Sequence, residues 1–424
     1  MSRTVTRRRV FYIPGYDPIH PRRYRELYRS EGAAQAAISG YDITLKPKAK
    51  PMAKPAGTSR YGWHVEARIE GHETQADVEV LVWSDIVRDS MEQGILATYG
   101  QLIRTAWTYM GSGALWRLMR LRKGPVIAAL YPVGFLLVQL MIALGLGYAA
   151  FSALIGLWDL IFCSGFCILP RYFLLGLGLS VALGLALAWL VLRWFKARDA
   201  RFFAYYLMHD YAYSARHKGA NPPELEARMA EFTAEIAEAL TGDVDEVLVV
   251  GHSSGAHLAV SILSDLIRAG QVPETGPKLS FLSLGQVVPM VSFLRDAHRL
   301  RADLQFLSER GELTWIDVTA PGDGCAFALC DPVAVSGVAT GRKRWPLVIS
   351  AAFTRTLSPE RWKELRWKFF RLHFQYLCAF DRPGDYDYFR ITAGPRTLGD
   401  RFAGRNPSKS RIETAVSKFT STAP

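Results

Sequence analysis

Two stretches of the chain carry no charged residue, 125–158 and 172–192, while the rest mixes apolar and polar positions at short periods. About 20 apolar residues cross a bilayer as a helix, so membrane spans are predicted at 126–150 and 172–194. A short segment with Asp159, Pro170 and Arg171 joins them into a hairpin. Before the hairpin, 9–13 is a β-rich run ending in Pro14-Gly15, 21–38 has helical spacing and 41–45 is strand-like, which is βαβ order. The segment 46–58, with Pro47, Pro51 and Pro55, reads as an extended loop. Alternation predicts strands at 64–69 and 78–83, and 86–109 is predicted helical up to the membrane. After the hairpin, 202–217 is an aromatic-rich helix and Pro223–Leu240 a patterned helix with proline at its start. The run 247–250 is continuously apolar, the mark of a strand buried on both faces of a parallel sheet. A turn at 251–255 leads into a helix at 256–269, a strand at 278–284, a helix at 293–310 and a strand at 313–318.

This alternation predicts an α/β fold, a mostly parallel sheet flanked by helices, with the two-helix hairpin inserted into one domain. The expected organisation is 1–123 as the first part of that domain, 124–196 as the hairpin, 197–399 as the second part, and 400–424 as a flexible basic tail.

Composition sharpens the picture. With 424 residues, 50% hydrophobic against 21% charged, and a mean hydropathy of +0.06, the chain is too apolar for disorder and too long to need staples. The net charge of +12 points to an anionic partner. Outside 124–195 there remain 49 basic and 38 acidic residues. Arg117, Arg120, Arg122 and Lys123 precede the first span and Arg193, Lys196, Arg198 and Arg201 follow the second, whereas the connection holds Arg171 alone. By the positive-inside rule both outer flanks face the cytoplasm, as expected of an integral protein of a bacterial inner membrane with both termini and the polar domain inside. Arg7-Arg8-Arg9 before Val10-Phe11 is not expected to be a twin-arginine leader, because Pro14-Gly15 interrupts the apolar run. Membrane lipids are the expected partner; nucleic acid is not, since no zinc finger, RNP-type motif or basic heptad helix is present. The five cysteines form no CxxC pair, and Cys163 and Cys167 in the outer connection read as packing residues.

The string that carries chemistry is Gly251-His252-Ser253-Ser254-Gly255, between a predicted buried strand and a predicted helix. A serine hydroxyl is a poor nucleophile and needs a tight turn where a histidine can take its proton. Glycines at 251 and 255 avoid crowding the strand and helix beside that turn. The stretch from Val249 to Ala259 resembles the nucleophile elbow of the α/β-hydrolase superfamily, and of its lipases and esterases in particular. The resemblance implies a Ser-His-Asp triad with no cofactor and no metal, whose acid and then histidine follow the serine in the chain. It also implies oxyanion donors at the amide after the nucleophile, here Ser254, and on a loop after an earlier strand.

Of nine histidines, His252 and His257 flank the elbow, His298 falls in a helical stretch, and His373 alone lies beyond the 313–318 strand. His373 is therefore the expected base and His252 a structural part of the elbow. Asp323 fits the acid best, with Asp317 and Asp331 as alternatives. Fungal lipases carry an apolar residue and proline after this aspartate, where this chain has Cys325-Ala326-Phe327. The loop Pro14-Gly15-Tyr16-Asp17 has the form of the second oxyanion loop, with the Tyr16 amide as donor. The acidic run 381–387 lacks the pattern of a calcium loop and reads as a solvated loop near His373. The expected function is hydrolysis of a carboxylic ester or thioester, with a lipid or acyl substrate suggested by the membrane. The alternative is a non-catalytic scaffold of the same fold that binds lipid or a protein partner.

Overall fold

The computed structural model describes residues 4–47, 61–162 and 170–424. Among them, eight strands form one mixed sheet: β1 (Arg7–Ile13), β2 (Asp42–Pro47), β3 (Tyr61–Ile69), β4 (His72–Val80), β5 (Glu246–His252), β6 (Lys278–Leu284), β7 (Leu313–Thr319) and β8 (Leu347–Ser350). Their order is β2-β3-β4-β1-β5-β6-β7-β8. From β4 to β8 every neighbouring pair is parallel, and β3 runs antiparallel to both β4 and β2. Every residue of β5 is buried, as a central strand covered on both faces requires. In β3, Trp63, Val65, Ala67 and Ile69 are buried and alternate with more exposed positions, so this strand covers the core with one face only.

Several expectations change here. The helix Arg22–Ser39 does join two strands of like direction, but β3 and β4 lie between β1 and β2, so the first βαβ unit is not a pair of neighbours. The continuous helix expected at 86–109 is two helices, Ser84–Met91 and Ile95–Gly111, with Gly94 between them. The helix expected at 293–310 begins only at His298, after the short helix Val288–Ser292. Strand β8, four residues long, carried no recognisable period. Of the 46–58 loop, Lys46 and Pro47 close β2 and the remainder lies outside the described residues, as do Cys163 and Cys167. The 381–387 run is not uniformly solvated. Tyr386 is buried, and the buried Asp387 accepts the Phe389 and Arg390 amides at the start of the helix Tyr388–Ala393.

The tail is not loose. Ser408 donates its amide to the Val348 carbonyl of β8, Ile412 exchanges backbone bonds with Leu329 and Asp331, and Arg301 holds the Ser421 carbonyl at 2.7 Å. At these points the polar segment satisfies backbone groups on the main domain.

Contacts divide the chain into two compact units. One comprises Met1–Ser90, Trp107–Val126 and Ser214–Pro424 and holds the whole sheet. The other, Met91–Ala106 and Ile127–Tyr213, is helical, and so is larger than the hairpin expected at 124–196. The helices Lys123–Phe162 and Pro170–Lys196 are long and apolar enough to cross a membrane. Their most apolar windows are only 28% and 22% buried, unlike the core helix of a soluble protein. At 40 residues the first is about 60 Å long, roughly twice the hydrocarbon thickness. Gly147 and Gly184 let the two backbones touch: a side chain at either would meet the other's carbonyl oxygen at 2.6 and 2.7 Å.

Candidate active site

The chain leaves β1 for the β2-β3-β4 side of the sheet and leaves β5 for the β6-β7-β8 side, although β1 and β5 are neighbours. At such a switch point the loops after adjacent strands diverge and open a crevice at their carboxyl ends. Four loops meet there: Pro14–Asp17 after β1, Ser253 after β5, Gly285 after β6 and Asp323 after β7.

Ser253 is held at φ +56°, a left-handed conformation that costs a non-glycine residue about 1–3 kcal/mol. The surroundings enforce it. The Ser253 amide donates to the Leu284 carbonyl at the end of β6 at 2.9 Å, and the Ala256 amide donates back to the Ser253 carbonyl at 3.1 Å. The buried helix Gly255–Arg268 starts at once, with Ser254 as its N-cap, so the Ser254 amide belongs to a first turn whose N–H groups lack helical acceptors. A Cβ on Gly251 would lie 2.7 Å from the Ala256 Cα, and one on Gly255 would overlap the Ile13 carbonyl oxygen. The elbow can therefore form only if both residues are glycine.

The β1 loop stands directly opposite the serine. A Cβ on Gly15 would lie 2.9 Å from the Ser253 Cβ and 3.4 Å from its Oγ. Trp83 fixes this loop by donating Nε1–H to the Pro14 carbonyl at 2.9 Å, and the buried Asp17 accepts from the Ile19 amide, Arg23 and Tyr24. The Tyr16 ring is buried edge-on to Trp83 with its hydroxyl bonded to Ser90. The close approach of Gly15 to Ser253 is thus one of backbone to side chain.

His373, the last residue of the short helix Phe369–His373, is buried and its Nδ1 meets Asp323 Oδ2 at 2.7 Å. Its Cε1 lies 3.1 Å from where a Gly285 side chain would begin, next to the Leu284 carbonyl that binds Ser253. A second tie runs through His252. Its Nε2 donates to the His373 carbonyl at 3.0 Å, which leaves Nδ1 to accept from the Tyr12 hydroxyl at 3.3 Å. Burial and the neighbouring His373 push His252 down to about 3, so it stays neutral and acts as a fixed strut.

The three aspartates separate cleanly. Burial alone would push the Asp323 carboxyl up, but the charge and hydrogen bond of His373, the Cys325 amide at 2.8 Å and the Tyr376 hydroxyl at 3.0 Å hold it below the usual carboxylate range. Asp331 instead caps the helix Pro332–Val335 and pairs with Lys343 at 2.6 Å. Asp317 lies within β7, bonded through Oδ1 to Ser283 at 2.6 Å while Oδ2 has no partner. Burial pushes it up to about 8. Its folded pKa is thus above its unfolded value near 3.9, so the folded state holds the extra proton and stability falls as pH rises between the two. Asp317→Asn is expected to melt higher than the unsubstituted protein in detergent, with the gap widening from about pH 5 to about pH 8. A gap independent of pH would show that Asp317 is not a buried, protonated acid.

Tyr376 escaped notice in the sequence. Its hydroxyl donates to Asp323 and accepts the Ala320 amide at 3.0 Å, bracing the acid loop from both ends. The only clue was its spacing, three residues beyond His373 in a turn, which brings both side chains to one side. Gly285, at φ +53°, was also missed; a side chain there would collide with Tyr376 and crowd His373. Asp323, Cys325 and His373 offer ligand atoms within 4.8 Å of one another. Of these groups, Asp323 Oδ2 and His373 Nδ1 are bonded to each other. The arrangement holds three parts that acyl transfer needs: a serine at positive φ, an imidazole oriented by hydrogen bonds, and a buried carboxylate. Compared with known protein families, with curated proteins and with solved structures, the chain matches none of them.

Proposed function

We propose that the chain is a membrane-anchored serine hydrolase of the α/β-hydrolase type that cleaves a carboxylic ester or thioester. The observation that carries this reading is the convergence of Ser253 at φ +56° and the His373–Asp323 pair on either side of the Leu284–Gly285 link. In the proposed reaction Ser253 Oγ attacks the acyl carbon while His373 Nε2 takes its proton. The ester C–O or thioester C–S bond then breaks, and His373 returns the proton to the leaving alcohol or thiol. Water, deprotonated by the same nitrogen, releases the acid and restores the serine. Asp323 holds the imidazole with Nδ1 protonated, and the Tyr16 and Ser254 amides receive the oxyanion. None of these steps calls on a metal or cofactor.

The basic flanks of the two apolar helices support a cytoplasmic position for the polar unit, and an active site fixed beside a bilayer supports a lipid or other acyl substrate. Labelling with a fluorophosphonate probe tests the reading. The intact protein is expected to take up the probe on Ser253, and Ser253→Ala and His373→Ala to lose it. A folded, unlabelled protein would remove the hydrolase and leave a membrane scaffold.

A further inference from the structure

The helix that carries His373 also carries part of an exposed aromatic and basic ridge. Six consecutive residues, 366–371, are exposed. Trp367 is 71% exposed, Phe369 46% and Phe370 37%. Contiguous aromatic exposure of this kind on a water-facing surface marks a contact surface. The ridge is cationic as well, with five basic residues against Glu360 and Glu364 between positions 360 and 371. Glu364 is shared among Arg361, Lys368 and Arg371, so the positive excess persists, and Lys363 and Arg366 are among the exposed residues.

The ridge is anchored to the acid loop. Trp362 fills the space a Gly322 side chain would take, and Phe369 lies 3.1 Å from where a Gly324 side chain would begin. The same loop meets the start of the first apolar helix. A Cβ on Gly124 would lie 3.2 Å from the Gly324 carbonyl, and Arg122 donates to the Ala328 carbonyl at 2.7 Å. The ridge and the point where the chain turns apolar therefore adjoin one loop, Gly322–Ala328, of the same unit.

We infer that the Lys363–Arg371 ridge is a membrane-docking surface that binds the anionic phospholipid headgroups of the bilayer its own helices cross. Trp and Phe side chains settle at the headgroup level, and each nearby Lys or Arg adds attraction to anionic lipid. Docking there holds the His373 helix at the lipid surface, so that an acyl substrate reaches Ser253 from the bilayer side. The docking itself rests on the membrane-spanning part of the proposed function alone, and only the delivery of substrate to Ser253 rests on its catalytic part.

The test uses the full chain in nanodiscs of phosphatidylcholine with or without phosphatidylglycerol, their acyl chains brominated near the headgroup. Tryptophan quenching is compared between the unsubstituted chain and Trp367→Phe, which isolates one tryptophan from the other ten. A quenched Trp367 component is expected, stronger with phosphatidylglycerol, and reduced by about half or more when Lys363, Arg366 and Lys368 are all changed to Glu. An unquenched Trp367, whether in water or covered by a second copy or another protein, overturns the inference. Quenching that is equal in the two lipid mixtures overturns it as well. Fluorophosphonate labelling of Ser253 in the same discs separates the two proposals: label without quenching removes the docking surface alone, and quenching without label removes the hydrolase alone.

Discussion

Asp323→Asn is expected to lower kcat for any ester the protein hydrolyses by about 10³- to 10⁴-fold while leaving the fold intact. The side chain keeps its shape, but its amide nitrogen can donate to His373 Nδ1 where the carboxylate only accepted at 2.7 Å. The imidazole then carries its proton on Nε2, facing the serine, and cannot remove the proton of Ser253. Loss of the negative charge also removes what stabilises the imidazolium after proton transfer. Asp331→Asn and Asp317→Asn, whose carboxyl groups serve a helix cap and Ser283, are the matched comparisons and are expected to stay within about tenfold. Tyr376→Phe leaves Asp323 with the Cys325 amide and His373 as partners and is expected to cost about tenfold. Steady-state hydrolysis of a short-chain ester in detergent measures all four. Equal activities for Asp323→Asn and Asp331→Asn would refute the assignment of the acid.

Gly255→Val is expected to abolish fluorophosphonate labelling and destabilise the protein by about 3 kcal/mol or more. A Cβ at 255 would overlap the Ile13 carbonyl and lie 2.7 Å from that of Pro14. Both obstacles are backbone at the end of β1, a central strand hydrogen-bonded to β4 and β5, so neither can rotate away as a side chain would. The clash must separate the elbow helix from β1, which also carries Gly15 away from Ser253. Gly270→Ala is the control: it follows the same helix at φ +65° with open space around it, and is expected to cost only about 1 kcal/mol of local strain. Thermal unfolding in detergent and the labelling rate read both variants. A Gly255→Val protein that melts and labels normally would contradict the packing of the elbow against β1.

What could be read along the chain was whatever depends on near neighbours. The apolar runs of the two long helices, the buried run of β5 and the proline-started helix Pro223–Leu240 are local patterns, set by which faces must leave water. The Ser253 turn was legible for the same reason, because a glycine two residues to either side of the serine is a local steric requirement. His373 could be reached by elimination, since the resemblance orders the histidine last and only one remained. The choice among Asp317, Asp323 and Asp331 could not be reached this way. All three are buried and lie within 15 positions of one another, and what distinguishes Asp323 is contact with residues 50 and 53 positions away. The same holds for the neighbours of β1, one of them paired through Arg8 and Glu246, for Gly15 opposite Ser253, and for the tail bonded to β8. Local sequence thus determined many of the elements, among them the two apolar helices, β5 and the glycine-flanked Ser253 turn, because hydrophobic burial and backbone sterics act over a few residues. Only the tertiary structure decided the sheet order and which aspartate meets His373 and Tyr376, because hydrogen bonds between distant segments exist only after the chain has closed the loops that bring them together.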